Sequence, residues 1–413
     1  MNSAPLTWRV STAARAAAVL AVVTIVLAAI TGRGELIALA APSLLWLTVA
    51  LRAPRPATTT LMATPDRARC AEREDVELTL AAPADDGLVY RGELLTTGRP
   101  GEPQLVHAAA TSWRVRMPDW GTQTLRIGVR IATRGGAWHA RLRIAVPIVV
   151  TPRGVPGTAA LRGTVRRPSY GERAARVGGD GTEFLDVTQW APGLPLRRVH
   201  WAATVRTGDV HIARMAADRN QDVAIIVDAR AETGPPTATT VDRAVRAAVA
   251  LAEAHLRAGD RVALAMAGGR LHWVAPGAGT RHLVRIVDCV LEHRTGREIP
   301  RIDIDRIPDR ILVPGALTIC LTALLNDDSL RLVGDVRRRG HPTVVVDVLD
   351  HEPPVGHRRN DQQALRAWRL DRVAIAQHLS RRGIVAVNWP ADASLPAALR
   401  PLAGRPLGVG GRR

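Results

Sequence analysis

Two charge-free apolar runs near the amino terminus constrain this chain most. They are "AAAVLAVVTIVLAAI" at residues 16–30 and "LIALAAPSLLWLTVAL" at 36–51, with only "TGRGE" between them. A helix needs about 20 apolar residues to cross a bilayer core, and small flanking residues bring the first run near that length. The pattern predicts helices over about 14–31 and 36–51, paired as a transmembrane hairpin within residues 1–56. A cleaved signal peptide is the rival reading of an Arg-bearing start followed by an apolar run. The second run argues against it. Arg9 and Arg15 precede the first run, and Arg52 and Arg55 follow the second. By the positive-inside rule, both termini and the soluble domains then face the cytoplasm at the plasma membrane.

From 57 to 150 the hydrophobic period is two. "VELTL" (76–80), "LRIGVRI" (125–131) and "RLRIAVPIVV" (141–150) alternate apolar with polar side chains, which marks half-buried strands and a small β-sandwich. Trp113, Trp120 and Trp138 are expected in its core or at its edges. Residues 151–219 hold a Pro-, Gly- and Arg-rich linker and then an unusual segment discussed below. Over 220–395 the pattern becomes α/β. "VAIIVDA" (223–229) is a continuous apolar run ending in Asp, followed by the helical pattern of 240–259, and this alternation continues to "IVAVNW". It predicts a doubly wound sheet with Asp228 at the mouth, because ligands bind beyond the carboxyl ends of such strands. Residues 396–413 form a tail.

The formal charge of +18 over 413 residues would suit a nucleic-acid partner. However, all 56 basic residues are Arg, and they are dispersed along the chain without a dense block. That spread reflects compositional bias, and no nucleic-acid partner is expected. Cys70, Cys289 and Cys320 are far apart and fit neither a disulfide framework nor a zinc site.

The unusual segment is "GTEFLDVTQWAPGLPLRRVHWAATVRTG", residues 181–208. With Gly179 before it, it resembles the signature GxGxEFxxLRxYxPGDxxRxIxW of the bacterial domain of unknown function 58 family. The matches are Gly179, Gly181, Glu183, Phe184, Pro192, Gly193, Arg197 and Trp201, with Arg206 a few positions on. Trp190 stands for the aromatic, and Val187 and Val199 for aliphatic positions. Thr188 and Leu194 replace an Arg and an Asp, as expected if a normally paired cation and anion were lost together. The resemblance implies a membrane-anchored protein with a von Willebrand A-like domain. It further implies a MoxR-type AAA+ ATPase as partner in assembling or activating other complexes.

Three uses of the segment compete. As a structural junction it would bury Phe184, Trp190 and Trp201 and pair Arg197 and Arg206 with Glu183 or Asp186. As a partner surface it would expose the same Trp and Arg residues, and as a nucleic-acid site it would stack bases on them. The resemblance also implies a magnesium site built from DxSxS, a Thr and an Asp. Here Asp228 is kept, Thr280 stands for the second-loop Thr, and Arg230 and Glu232 take the hydroxyl positions. Thr322 and Ala323 stand where the third loop would have Ser-Asp, with only Asp327 or Asp328 beyond, and Asp228 is expected to pair with Arg230 or another Arg. The site is therefore degenerate: no cofactor is expected, and magnesium is the one ion the resemblance admits. No GxSxG, HExxH or phosphate-binding loop is present, so the chain is expected not to be an enzyme. The alternative is an envelope-associated hydrolase or transferase centred on His200 and Asp228.

Overall fold

The computed structural model describes residues 4–83, 87–162, 184–191, 196–215, 221–269, 271–295, 307–354 and 359–402. The chain divides into two units, Met1–Pro152 and Arg153–Arg413.

In the first unit, helix α1 (Thr12–Thr31) starts where the Ser11 side chain accepts from the Ala14 N–H and stops at Gly32, whose φ of 68° suits glycine. Helix α2 (Glu35–Leu51) follows, with Pro42 inside it. α1 is long and apolar enough to cross a membrane, whereas α2 is a shorter apolar helix. Val19, Ile30, Leu39, Leu45 and Val49 on these helices are exposed. At the other end, Ala14 of α1 and Leu47 and Ala50 of α2 pack with Ala137 in a small apolar cluster.

The strands of this unit are β1 (Ala4–Pro5), β2 (Arg9–Val10), β3 (Thr58–Thr59), β4 (Met62–Pro65), β5 (Arg69–Ala71) and β6 (Asp75–Ala81). They continue with β7 (Leu88–Leu94), β8 (Gln104–Ala108), β9 (Ser112–Arg116), β10 (Gly121–Thr133) and β11 (Trp138–Thr151). One sheet runs β4-β6-β9-β8. Another runs β2-β11-β10-β7 with β5 added parallel to β11, and β1 pairs with β3. Strand alternation sends Val76, Leu78 and Leu80 of β6 and Leu125, Ile127, Val129 and Ile131 of β10 into one shared core with Trp113. Trp120 is also buried. Trp138 lies under the Arg55 guanidinium, 4.2 Å from the ring centre, and its Nε1 donates to the Leu51 carbonyl at 3.3 Å.

In the second unit, β12 (Phe184–Gln189) and β13 (His211–Met215) form a two-stranded sheet, with helix α3 (Trp201–Thr207) between them in the chain. The main sheet contains β14 (Asp222–Asp228), β15 (Arg261–Ala267), β16 (Leu271–Gly277), β17 (Leu317–Thr322), β18 (Thr343–Asp347) and β19 (Val385–Asn388). Its helices are α4 (Thr240–Arg257), α5 (Thr280–Thr295), α6 (Asp327–Arg338), α7 (Arg359–Arg381) and α8 (Leu395–Leu399). The strand order is β16-β15-β14-β17-β18-β19, parallel except for β16 against β15. β14 and β17 are buried along their whole length, which is why they read as continuous apolar runs. α6 and α7 share a core with Ala224 and Ile226, and alternation turns Val223, Ile225 and Val227 to the face where α4 packs. α4 begins at a capping box in which Thr239 and Asp242 satisfy each other's backbone N–H.

Part of the segment expected as linker is built into this unit. Leu161 is buried, its N–H donates to His255 Nε2 at 3.2 Å, and His255 Nδ1 donates to Asp260 at 2.7 Å. The sequence reading also missed the edge strand β16 and the first turns of α7.

Gly135, in the β10–β11 turn, marks a close approach within the first unit. A Cβ there would lie 2.9 Å from the Ala50 Cβ. Gly135→Val is expected to push α2 off this turn at a cost of about 1–3 kcal/mol. The readout is faster tryptic cleavage at Arg52 and Arg55, just beyond α2.

Candidate functional site

The chain leaves β14 for β15 on one side and later returns to β17 on the other, so the topological switch lies between β14 and β17. The strands that meet there end in polar residues. Val227 pairs with Leu321, Thr322 with Asp347, and Asp347 with Asn388. Asp228, Thr322, Asp347 and Asn388 therefore form a row along the carboxyl edge of the sheet.

Asp228 is the centre of this row, and its side chain is 4% exposed. Its Oδ1 accepts from Arg230 Nε at 2.8 Å and from the Arg230 backbone N–H at 3.3 Å. Its Oδ2 accepts from Thr322 Oγ1 at 2.8 Å and from Ser329 Oγ. Ser329 lies in the first turn of α6, whose cap is Asn326, so the carboxylate also faces the positive end of a helix. Cys320 sits one turn of the pleat below. Burial, then the negative charge of Asp228, push its thiol up to about 12.

Beside this centre, a cavity of about 280 Å³ is lined by Asp347, His351, Trp368, Arg369, Arg372 and Asn388, among others. Burial raises the Asp347 carboxyl above its ordinary range, opposed by its ion pair with Arg372. Arg372 Nη1 also donates to the carbonyls of Ala323 and Leu324, both at 2.9 Å. It thereby holds Leu324 at φ 51°, a left-handed conformation that costs a non-glycine residue about 1–2 kcal/mol. On the other flank, His293 of α5 crowds Gly268, where a Cβ would meet its Cε1 at 2.5 Å, and its ring stacks edge-on with His272 at 5.5 Å. Burial, then His272, lower the His293 pKa to about 4.

The structure redistributes the residues singled out from the sequence. Asp228 and Arg230 are together at the mouth, but Thr280 is not. Antiparallel β16 carries the chain back from Leu271, beside Ala267, to Gly277, beside Val262. Thr280 thus starts α5 near the amino ends of the strands, about 20 Å of strand away from Asp228. The magnesium set does not fit these residues, because every acceptor site of Asp228 is taken and Arg230 brings a positive charge to it. Among the described residues no group of three or more His, Cys, Asp or Glu side chains could hold a metal ion. His200 caps α3, its Nδ1 accepting from the Ala203 N–H at 3.2 Å, whereas among the described residues the hydrogen bonds of Asp228 come from Arg230, Thr322 and Ser329.

The signature segment needs a different correction. The junction reading buries Trp190 and Trp201, yet Trp201 is 71% and Trp190 39% exposed, and Val205 one turn on is 82% exposed. The reason is local: α3 turns Ala203 inward against the β12–β13 sheet, and a two-stranded sheet offers no second layer to cover Trp201. Leu196 and Arg206 are exposed beside them. Val187 pairs with Ala213, and Val199 bridges to Ile212. Gly179, Gly181, Glu183, Pro192, Gly193 and Leu194 lie outside the described residues, as do the side chains of Phe184, Asp186 and Arg197. Neither the loss of an ion pair at Thr188 and Leu194 nor the pairing of Arg197 and Arg206 falls within what is described.

Residues 186–378 match the family model described as "Protein of unknown function DUF58". Uncharacterized proteins of Mycobacterium tuberculosis H37Rv and of Mycobacterium bovis are each 26% identical over 186 residues, covering 44% of this chain and 51% of the relative. The chain thus spans about half the length of the curated relatives it matches.

Two outcomes are expected at the mouth. Asp228→Ala, which strands Arg230 and two hydroxyls, is expected to destabilise the protein by about 3–5 kcal/mol in chemical denaturation. His293 stays neutral in the folded protein down to about pH 4, while the unfolded chain takes up the proton near 6.5. Stability is therefore full above 6.5 and falls as the pH drops towards 4, by up to about 3 kcal/mol from this group. His293→Leu is expected to flatten that part of the curve relative to wild type.

Proposed function

We propose, for a chain that over residues 186–378 is a divergent member of the DUF58 family, the role of a membrane-anchored, non-enzymatic interaction protein. The observation that carries this reading is the exposed Trp201–Val205 face of the signature segment. A Trp and a Val one helical turn apart, flanked by Leu196 and Arg206, have the composition of an interface hot spot. The state of the sheet mouth supports the non-enzymatic part, since Asp228 has no free lone pair to act as base and His200 is engaged as a cap. The order of the six-stranded sheet, with its antiparallel edge strand, supports a degenerate von Willebrand A-like domain. The partner that the family resemblance suggests is a MoxR-type AAA+ ATPase, acting in the assembly or activation of other complexes.

The anchor is the α1–α2 pair, read as a two-helix hairpin in the plasma membrane. Its support is the length and apolarity of α1, the exposed aliphatic surface of both helices, and Arg9, Arg15, Arg52 and Arg55 on the same side of the hairpin. Both termini and the soluble units are then cytoplasmic.

The test places a benzophenone amino acid at Val205 of the full-length protein in its native membranes, with ATP and magnesium present. An AAA+ ATPase is expected in the photoproduct, and Trp201→Ser is expected to lower its yield about tenfold or more, as for a hot-spot aromatic. Photoproducts lacking any ATPase, or a yield indifferent to Trp201, would overturn the partner reading.

A further inference from the structure

Hard divalent cations such as magnesium are held by clustered oxygen ligands. Four such oxygen-bearing groups converge at the carboxyl end of β14: the Asp228 carboxylate, Thr322 Oγ1, Ser329 Oγ and the Asn326 side-chain oxygen, 2.6 Å from Ser329. They come from three different places in the chain and meet at the topological switch of the sheet, where α/β domains bind charged ligands. In this protein the position against Asp228 Oδ1 is filled from within, by Arg230 Nε at 2.8 Å.

We infer that Arg230 is the resident cation of this site: a tethered guanidinium does there what a divalent ion would do for such an oxygen set, so the sheet mouth is permanently filled and independent of metal. Three observations carry this. Asp228 is almost fully buried, a state that demands a positive partner, and Arg230 is the cation at ion-pair distance from it among the described residues. Both carboxylate oxygens are saturated, Oδ1 by the Nε and backbone N–H of Arg230 and Oδ2 by two hydroxyls, which leaves no lone pair for an incoming ion. Arg230 is two residues from Asp228 on the same loop, and its guanidinium stays protonated at any physiological pH. Unlike a bound ion, it is lost neither to chelators nor to acid. Conversely, removing the guanidinium leaves oxygen ligands and an uncompensated buried carboxylate, the conditions under which a divalent ion enters.

The test compares thermal unfolding of the full-length wild type, Arg230→Ser, Arg230→Lys and the double variant Asp228→Asn with Arg230→Ser, each in chelator and in millimolar magnesium or manganese chloride. The wild type and Arg230→Lys are expected to unfold at the same temperature with or without metal. Arg230→Ser is expected to unfold several degrees lower in chelator and to recover a large part of that loss in magnesium or manganese. The double variant is expected to recover none. If Arg230→Ser does not accumulate, Arg230→Gln, which is uncharged but can still donate one bond to Asp228, carries the same comparison. Metal-dependent stabilisation of the wild type would overturn the inference, because the ion would then bind beside Arg230. Absence of any metal response in the uncharged variants beyond that of the double variant would overturn it equally, because the oxygens would not form a cation site.

Discussion

The carboxyl edge of the main sheet is arranged around the buried carboxylate of Asp228. Asp228 ends the central strand of a sheet whose neighbours are almost wholly apolar, and a carboxylate there costs several kcal/mol unless it is paired and fully hydrogen-bonded. The chain meets that demand with Arg230 from the next loop, Thr322 from the adjacent strand and Ser329 from the first turn of α6. These contacts fix where β17 ends and how α6 starts. Arg372 extends the same order outward, tying Asp347 to the strained turn at Leu324 and forming one wall of the neighbouring cavity.

Part of this was legible in the sequence. Strands buried on both faces write continuous apolar runs, so β14, β17 and β18 could be read directly, and the Asp that closes the first of them stood out. Arg230 was legible as well, because a contact two residues away is local. Thr322 was legible only as the residue standing at the third-loop position, and Ser329 was not legible at all, since it reaches Asp228 across 101 residues of chain and nothing nearby marks it. Thr280 was misplaced for a topological reason. "LHWVAPG" does not read as a buried strand, yet it forms the antiparallel edge β16 and returns the chain to the opposite end of the sheet. Asp347, Arg372 and Asn388 were missed, although "TVVVD" and "VAVN" repeat the pattern of an apolar strand closed by a polar residue.

The signature segment shows the limit of hydrophobicity as a guide to burial. Trp201 is the kind of residue that fills a core, but a seven-residue helix on a two-stranded sheet can bury only one narrow face, and Ala203 and Ile212 already occupy it. The bulky residues on the other face point outward. At the other extreme of the chain, α1 exposes aliphatic side chains along most of its length, which suits hydrocarbon better than water.

Asp228 and Arg230 act as one unit, and a double-mutant cycle between Asp228→Asn and Arg230→Gln tests this most directly. The expected result is a coupling energy of about 2 kcal/mol or more, with the double variant far less destabilised than the sum of the singles. Additive losses, with coupling under about 0.5 kcal/mol, would contradict it.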